Sequence, residues 1–194
     1  MLILASSSPR RKEILTMAGF VFEVMPSTYE EPLHSDRLIH PHAFARELAL
    51  GKGKEVFERM KKKRLVLSAD TIGIIGDEVL EKPRDRTDAK RMLQALSGKV
   101  HTVLTVVALF SPHHEEPLVE EVTTLVRFAR LAENDIEDYL DHEEYGDKAA
   151  AYAIQGRASV FVEKIEGDYF NVVGLPIFTV ARMLKDLKGE RING

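Results

Sequence analysis

Three groups of residues in this chain have types and spacings that could do chemistry. Lys52 shares a helical stripe with Phe44, Leu48, Ala49 and Val56, at separations of three and four. A lysine in an apolar stripe either snorkels at its edge or meets an anion. Gly51 and Gly53 flank it. Each costs about 1 kcal/mol against alanine inside a helix, and glycines there admit another backbone or a ligand. Asp70 follows the apolar run Leu65-Val66-Leu67 in the string Ser68-Ala69-Asp70-Thr71. Open α/β sheets bind ligands beyond the carboxyl ends of their strands. A carboxylate there can take a proton from water, hold a hard cation, or cap a turn with Thr71.

The third group is Ser6, Ser7 and Ser8 followed by Arg10 and Arg11. They fall at a strand-to-helix turn, where free backbone N–H groups and arginine forks suit phosphate oxygens. A serine cap followed by a solvated basic turn is the plainer reading. Glu30-Glu31 is either surface charge or a source of one metal-binding carboxylate. Lys61 to Arg64 complements a helix C-terminus. His40, His42, His113 and His114 lack metal-ligand company. Gly51-Lys52-Gly53-Lys54 is not a P-loop, because the upstream glycine and the following Ser/Thr are missing.

The elements that must position these residues alternate between strand and helix. Leu2 to Ala5 reads as a buried strand. Ser8 and Pro9 open a helix with Ile14, Leu15 and Ala18 inward, ending at Gly19. Phe20 to Met25 reads as a strand, and residues 26–41 as a long loop of the kind that carries function. A helix follows from Pro41 to about Lys62, then the strand before Asp70. Ile72 to Leu80 forms a hairpin turning at Gly76-Asp77, and Thr87 caps a helix that stops at Ser97-Gly98. Val100 to Phe110 and Leu118 to Phe128 are long strands. Asn134 to Glu143 is a helix, Ala158 to Ile165 a strand, and Pro176 to Leu187 a closing helix. The pattern predicts α/β with a mixed sheet, in a single domain over residues 1–194.

Composition bounds the chemistry. The chain has 194 residues, 27 basic and 31 acidic, for a net charge of -4. That balance argues against broad electrostatic binding of nucleic acid, so phosphate-handling cations must be local. With no cysteine, thiolate nucleophiles, zinc fingers and disulfides are excluded. The longest strongly apolar stretch, Val103 to Phe110, is far short of the ~20 residues of a membrane helix. The expectation is a cytoplasmic protein without a membrane partner.

Six short strings then occur in order: Ala5-Ser6-Ser7-Ser8-Pro9-Arg10-Arg11, Ser68-Ala69-Asp70-Thr71, Glu81-Lys82-Pro83, Leu96-Ser97-Gly98 with His101, Tyr152-Ala153-Ile154-Gln155-Gly156, and Asn171 to Pro176. Together they resemble the Maf family of nucleoside triphosphate pyrophosphatases, once named for septum-formation inhibition. The resemblance covers nearly the whole chain. It implies a fold like that of inosine triphosphate pyrophosphatases, an elongated mixed sheet with flanking helices and two lobes around a cleft, often in a homodimer. The Arg10-Arg11, Asp70-Thr71 and Tyr152-to-Gly156 strings look like the branch that hydrolyses dTTP and UTP, with CTP and modified pyrimidine nucleotides as further candidates. By resemblance Asp70 is the proton acceptor, and Arg10, Thr71 and Gln155 match positions tied to base selection. Ser6, Arg11, Glu31, Lys52 and Lys82 match the family's other polar cleft positions. Ala150 departs from the family, where a glycine is common.

Physics and resemblance meet on one expected mechanism. A triphosphate carries about four negative charges, so its cleavage needs positioning and charge neutralisation. Lys52, Lys82, Arg10 and Arg11 are expected to clamp the phosphates. A divalent ion, Mg²⁺ before Mn²⁺ or Co²⁺, is expected on Glu31 and Asp70. Asp70 activates water for attack at the α-phosphorus, and the amide of Gln155 reads the uracil or thymine edge. The alternative is a nucleotide-binding regulator of septation with little catalysis. A carboxylate beside a polyanion speaks against pure binding, since repulsion lowers affinity.

Overall fold

A computed structural model describes residues 1–31, 40–146, 148–187 and 189. The part of the predicted 26–41 loop from 32 to 39 lies outside the described residues. The first strand, β1 (Leu2–Leu4), is three apolar residues, all buried. It is therefore an interior strand, paired in parallel with β2 (Phe22–Val24) and with Leu65 to Leu67 of β3 (Leu65–Ile75). Beyond it β3 turns back through Gly76, whose φ of +56° suits glycine, into β4 (Glu78–Leu80). On its other edge β3 pairs antiparallel with β5 (Val100–Phe110) from Val66 to Ile74. β6 (Leu118–Phe128) and β7 (Val162–Glu166) continue the sheet antiparallel, giving the order β2-β1-β3-β5-β6-β7 with β4 beside β3. The expected mixed sheet with flanking helices is what forms.

Helix α1 (Pro9–Met17) buries Ile14 and Leu15, while α2 (Pro41–Arg59) lies across one face of the sheet. Its Ala45, Ala49 and Val56 join Ile3, Val66, Ile72, Leu104, Val106 and Ala108 in the core on that side. The opposite face carries the larger core, fed by α1, α3 (Arg86–Leu96), α4 (Glu133–Leu140), α5 (Tyr169–Val173) and α6 (Ile177–Leu187).

Several boundaries differ from expectation for identifiable reasons. Ala18 is exposed, because the chain leaves α1 there for the positive-φ turn at Gly19. α2 stops at Arg59, before left-handed Lys61 and Lys62. The cap of α3 is Asp85, whose carboxylate accepts from Asp88 N at 2.8 Å, so Thr87 is already inside the helix. α4 starts at Glu133 and stops at Leu140. The segment after Ala158 is a 3₁₀ turn through Phe161, and only then the strand β7. Most consequentially, β3 does not end at Asp70. Pairing with β5 carries it on to Ile75, which leaves Asp70 in mid-strand.

Candidate active site

The site exists because β1 is short. Ala5 N still donates to Leu67 O at 2.8 Å, but the next strand neighbour on that edge of β3 is β4, which joins at Gly73. From Ala69 to Ile72 the edge of β3 is open to the turn before α1. Arg11 enters this gap and closes its floor. Its Nη1 donates to Ala69 O at 2.7 Å and to Ser6 Oγ at 3.3 Å, its Nη2 to Thr71 Oγ1 at 3.1 Å, and its Nε to Gly174 O at 2.9 Å. One guanidinium thus joins the turn after β1, the middle of β3 and the end of α5. Burial lowers its pKa, with Asp70 acting against that and Arg10 with it.

Strand alternation separates the two residues of the Asp70-Thr71 pair. Thr71 faces the larger core side, bonded to Arg11 and sharing a hydrogen bond with Thr105 Oγ1 at 2.9 Å across to β5. Asp70 faces α2. There Lys52 Nζ lies 2.6 Å from Asp70 Oδ1 and 2.7 Å from Glu31 Oε1. Burial alone pulls Lys52 down, but the charges and hydrogen bonds of Asp70 and Glu31 outweigh it and leave the ammonium strengthened. Burial raises Asp70, Lys52 and Arg11 oppose the rise, and Glu31 adds to it. A carboxylate with a raised pKa is a stronger base than a free aspartate.

Glu31 reaches Lys52 because α2 fastens its loop. Glu55 accepts from Ser27 Oγ at 2.8 Å and from Thr28 N at 3.0 Å. The Tyr29 ring packs so tightly on Gly51 that a Cβ there would fall 2.4 Å from Tyr29 Cζ. Gly53 has a different neighbour: a Cβ would fall 2.3 Å from Phe110 Cε2 and 2.4 Å from Ser68 Oγ. The two glycines thus admit a tyrosine ring and the sheet itself, where the sequence suggested a backbone or ligand.

All nine residues singled out for the site line one cleft of about 530 Å³: Ser6, Arg10, Arg11, Glu31, Lys52, Asp70, Thr71, Lys82 and Gln155. Tyr29, Glu81 and Lys148 line it as well and were not anticipated. For Lys148 the only signal was a lysine just before the small-residue run that leads to Tyr152. That run closes the cleft from one side. Ala150 and Ala151 both take left-handed φ, +59° and +60°, and Ala150 N donates to Glu81 O at 3.0 Å. Next in the chain, the Tyr152 hydroxyl lies 2.8 Å from Nε2 of the buried His101, whose Nδ1 has no hydrogen-bond partner among the described residues. A buried polar atom left unpaired costs about 1–3 kcal/mol.

Among the described residues, no group of three or more His, Asp or Glu side chains is placed to hold a metal ion. Glu31 and Asp70 do converge, with Lys52 Nζ bonded to one oxygen of each. Mg²⁺ typically uses one or two carboxylates plus substrate phosphates, so this pair fits a shared site that substrate would complete.

An open α/β sheet thus carries a cleft where Arg10, Arg11, Lys52, Lys82 and Lys148 gather around buried Asp70, a lining of the class that suits phosphorylated small molecules. The model of the Maf-like protein family matches residues 1–187, and the chain belongs to that family. A dTTP/UTP pyrophosphatase of Alkaliphilus oremlandii is 44% identical over 185 residues, 95% of each chain. One from Symbiobacterium thermophilum is 47% identical over 94% of this chain and 92% of its own. Among solved structures, a nucleoside-triphosphatase (dITP/XTP pyrophosphatase) from Mycobacterium abscessus aligns with a TM-score of 0.42 at 17% identity, over 67% of this chain and 75% of that one.

Proposed function

We propose that this chain is a nucleoside triphosphate pyrophosphatase that hydrolyses dTTP and UTP to the nucleoside monophosphate and pyrophosphate. One observation carries the chemistry: a buried carboxylate, Asp70, held on an ammonium at the wall of a cation-lined cleft. The pyrimidine substrates are carried over from the relatives' names.

Lys52, Lys82 and Arg10 bind the phosphates, together with the backbone N–H groups at the start of α1, where the Ser8 side chain makes no cap. Arg11 lines the same cleft, but its bonds to four protein acceptors suit it to holding the wall that carries Asp70. Asp70 takes a proton from a water whose oxygen attacks the α-phosphorus in line. The bond from that phosphorus to the bridging oxygen breaks, and pyrophosphate leaves with the electron pair. Glu31 and Asp70 would hold a divalent cation, Mg²⁺ first, which when bound supplies charge neutralisation at the phosphate oxygens. Gln155, exposed at the cleft rim, reads the pyrimidine edge with its amide.

Among the described residues no helix is long and apolar enough to cross a membrane. A cytoplasmic location and a homodimer belong to the proposal, and sedimentation tests the dimer. Incubation with UTP, dTTP, CTP or 7-methyl-GTP and Mg²⁺, followed by ³¹P NMR, tests the activity. Monophosphate and pyrophosphate from UTP and dTTP support it, whereas release of inorganic phosphate contradicts it.

A further inference from the structure

Between Ala151 and Gly156 the chain is in no strand; it is held by Ala151, Tyr152 and Ile154, which pack into the core, and by hydrogen bonds at its two ends. Tyr139 Oη donates to Ala151 O at 3.2 Å on one side. On the other, Arg157 N donates to Glu144 Oε2 at 2.9 Å. The bow between them carries Gln155. Inside the bow, Gly156 N bonds back to Ala153 O at 3.0 Å, and the Tyr152 hydroxyl bonds His101 Nε2 at 2.8 Å. The Tyr152 ring already packs edge-on against Phe128 of β6 at 4.8 Å between centroids; the bond to His101, a residue of β5 paired with Val126 of β6, adds a directional tie that fixes the hydroxyl end of that ring.

The imidazole is an odd choice if it only fills space. It is 1% exposed, and it stands edge-on to Phe128 at 5.2 Å and to Tyr152 at 5.4 Å between ring centroids. A hydrocarbon side chain would pack in that aromatic cage without leaving Nδ1 unpaired. What a hydrocarbon could not do is hold the Tyr152 hydroxyl. His101 itself does not line the cleft, whereas Tyr152 and Gln155 do.

We infer that His101 is a positioning residue for base recognition: its Nε2 fixes the Tyr152 ring, and the fixed ring sets the bow that presents Gln155 to the pyrimidine. This rests on the proposed function, in which Gln155 reads the base.

The test is steady-state hydrolysis of UTP and CTP by Tyr152→Phe, His101→Asn, His101→Gln and Gln155→Ala. Tyr152→Phe keeps the ring and deletes only the hydroxyl, so it separates positioning from folding. A glutamine amide reaches the place of Nε2, while an asparagine amide reaches only that of Nδ1. Tyr152→Phe and His101→Asn should raise KM for UTP about tenfold and narrow the UTP-to-CTP preference by a similar factor, with kcat changed less than about threefold. His101→Gln should restore most of both, and adding Tyr152→Phe to His101→Asn should cost nothing further. If Tyr152→Phe leaves KM and preference unchanged while Gln155→Ala alters them, positioning by His101 is refuted and base reading stands. If Gln155→Ala alters neither, base reading by Gln155 fails and this inference fails with it.

Discussion

Lys52 Nζ lies 2.6 Å from Asp70 Oδ1 and 2.7 Å from Glu31 Oε1, so one ammonium joins α2 to the middle of β3 and to the loop after β2. Removing it leaves Asp70 buried without its nearest cation. Lys52→Met should lower kcat by about 10²-fold, the scale of losing one aimed electrostatic donor. It should also destabilise the fold by up to about 3 kcal/mol through the stranded carboxylate. Asp70→Asn removes the base and the stranded charge together. It should cost about 10²–10⁴ in kcat while leaving nucleotide binding and the urea midpoint nearly intact. Paired kinetic and urea measurements distinguish the two variants.

Gly51 and Gly53 should separate function from stability. Gly51→Ala pushes its Cβ into the far end of the Tyr29 ring, which can swing away and take Glu31 off Lys52. Activity should fall toward that of Glu31→Gln, with stability held by the ~1 kcal/mol gained in helix propensity. Gly53→Ala meets Phe110 and Ser68 between helix and sheet, and overpacking there should cost roughly 1–3 kcal/mol. Thermal melts and UTP turnover on both variants check the split.

Ala150 takes φ +59° and Ala151 φ +60°, a region that costs an L-residue roughly 1–2 kcal/mol. Ala150→Gly should relieve that strain against a smaller entropic loss, raising Tm by about 2–4 °C. A lower Tm by calorimetry would show that the strain is smaller than the chain entropy and the buried methyl that the change gives up.

Burial holds the His101 imidazole down to about 4 from an ordinary 6.5. Its folded pKa lies below its unfolded one, so at intermediate pH the unfolded chain binds a proton that the folded chain refuses. The associated stability is full above about pH 6.5 and falls as pH drops toward 4, by roughly 3 kcal/mol in all. His101→Gln lacks this titration, so the gap between its urea midpoint and that of the parent chain should be level above about pH 6.5 and shift steadily from there to pH 4.5. Parallel profiles would mean the ring is not buried in its neutral form.

Lys52 and Asp70 were legible in the sequence because each breaks a periodic rule: a charge in an apolar helical stripe, and a carboxylate after an apolar run. The sheet and its helices were legible for the opposite reason, since their apolar spacing is regular. Arg11 was legible as a cleft residue but not as a cross-tie. Two of its four acceptors are the carbonyls of Ala69 and Gly174, 58 and 163 residues away, and backbone carbonyls leave no mark in a sequence. Gly51 and Gly53 signalled close approach without saying by what, because that depends on where Tyr29 and Phe110 fall in space. Asp70 was misplaced at a strand end because the strand's length is set by pairing with β5, not by its own hydropathy. α5 went unseen because five residues give too little periodicity to read.

Hydrolysis of UTP in H₂¹⁸O, with mass spectrometry of both products, tests most directly whether water is delivered to the α-phosphorus beside Asp70. With water attacking the α-phosphorus, one ¹⁸O enters UMP and none enters pyrophosphate. Label in pyrophosphate, or UDP with labelled inorganic phosphate, would contradict attack there.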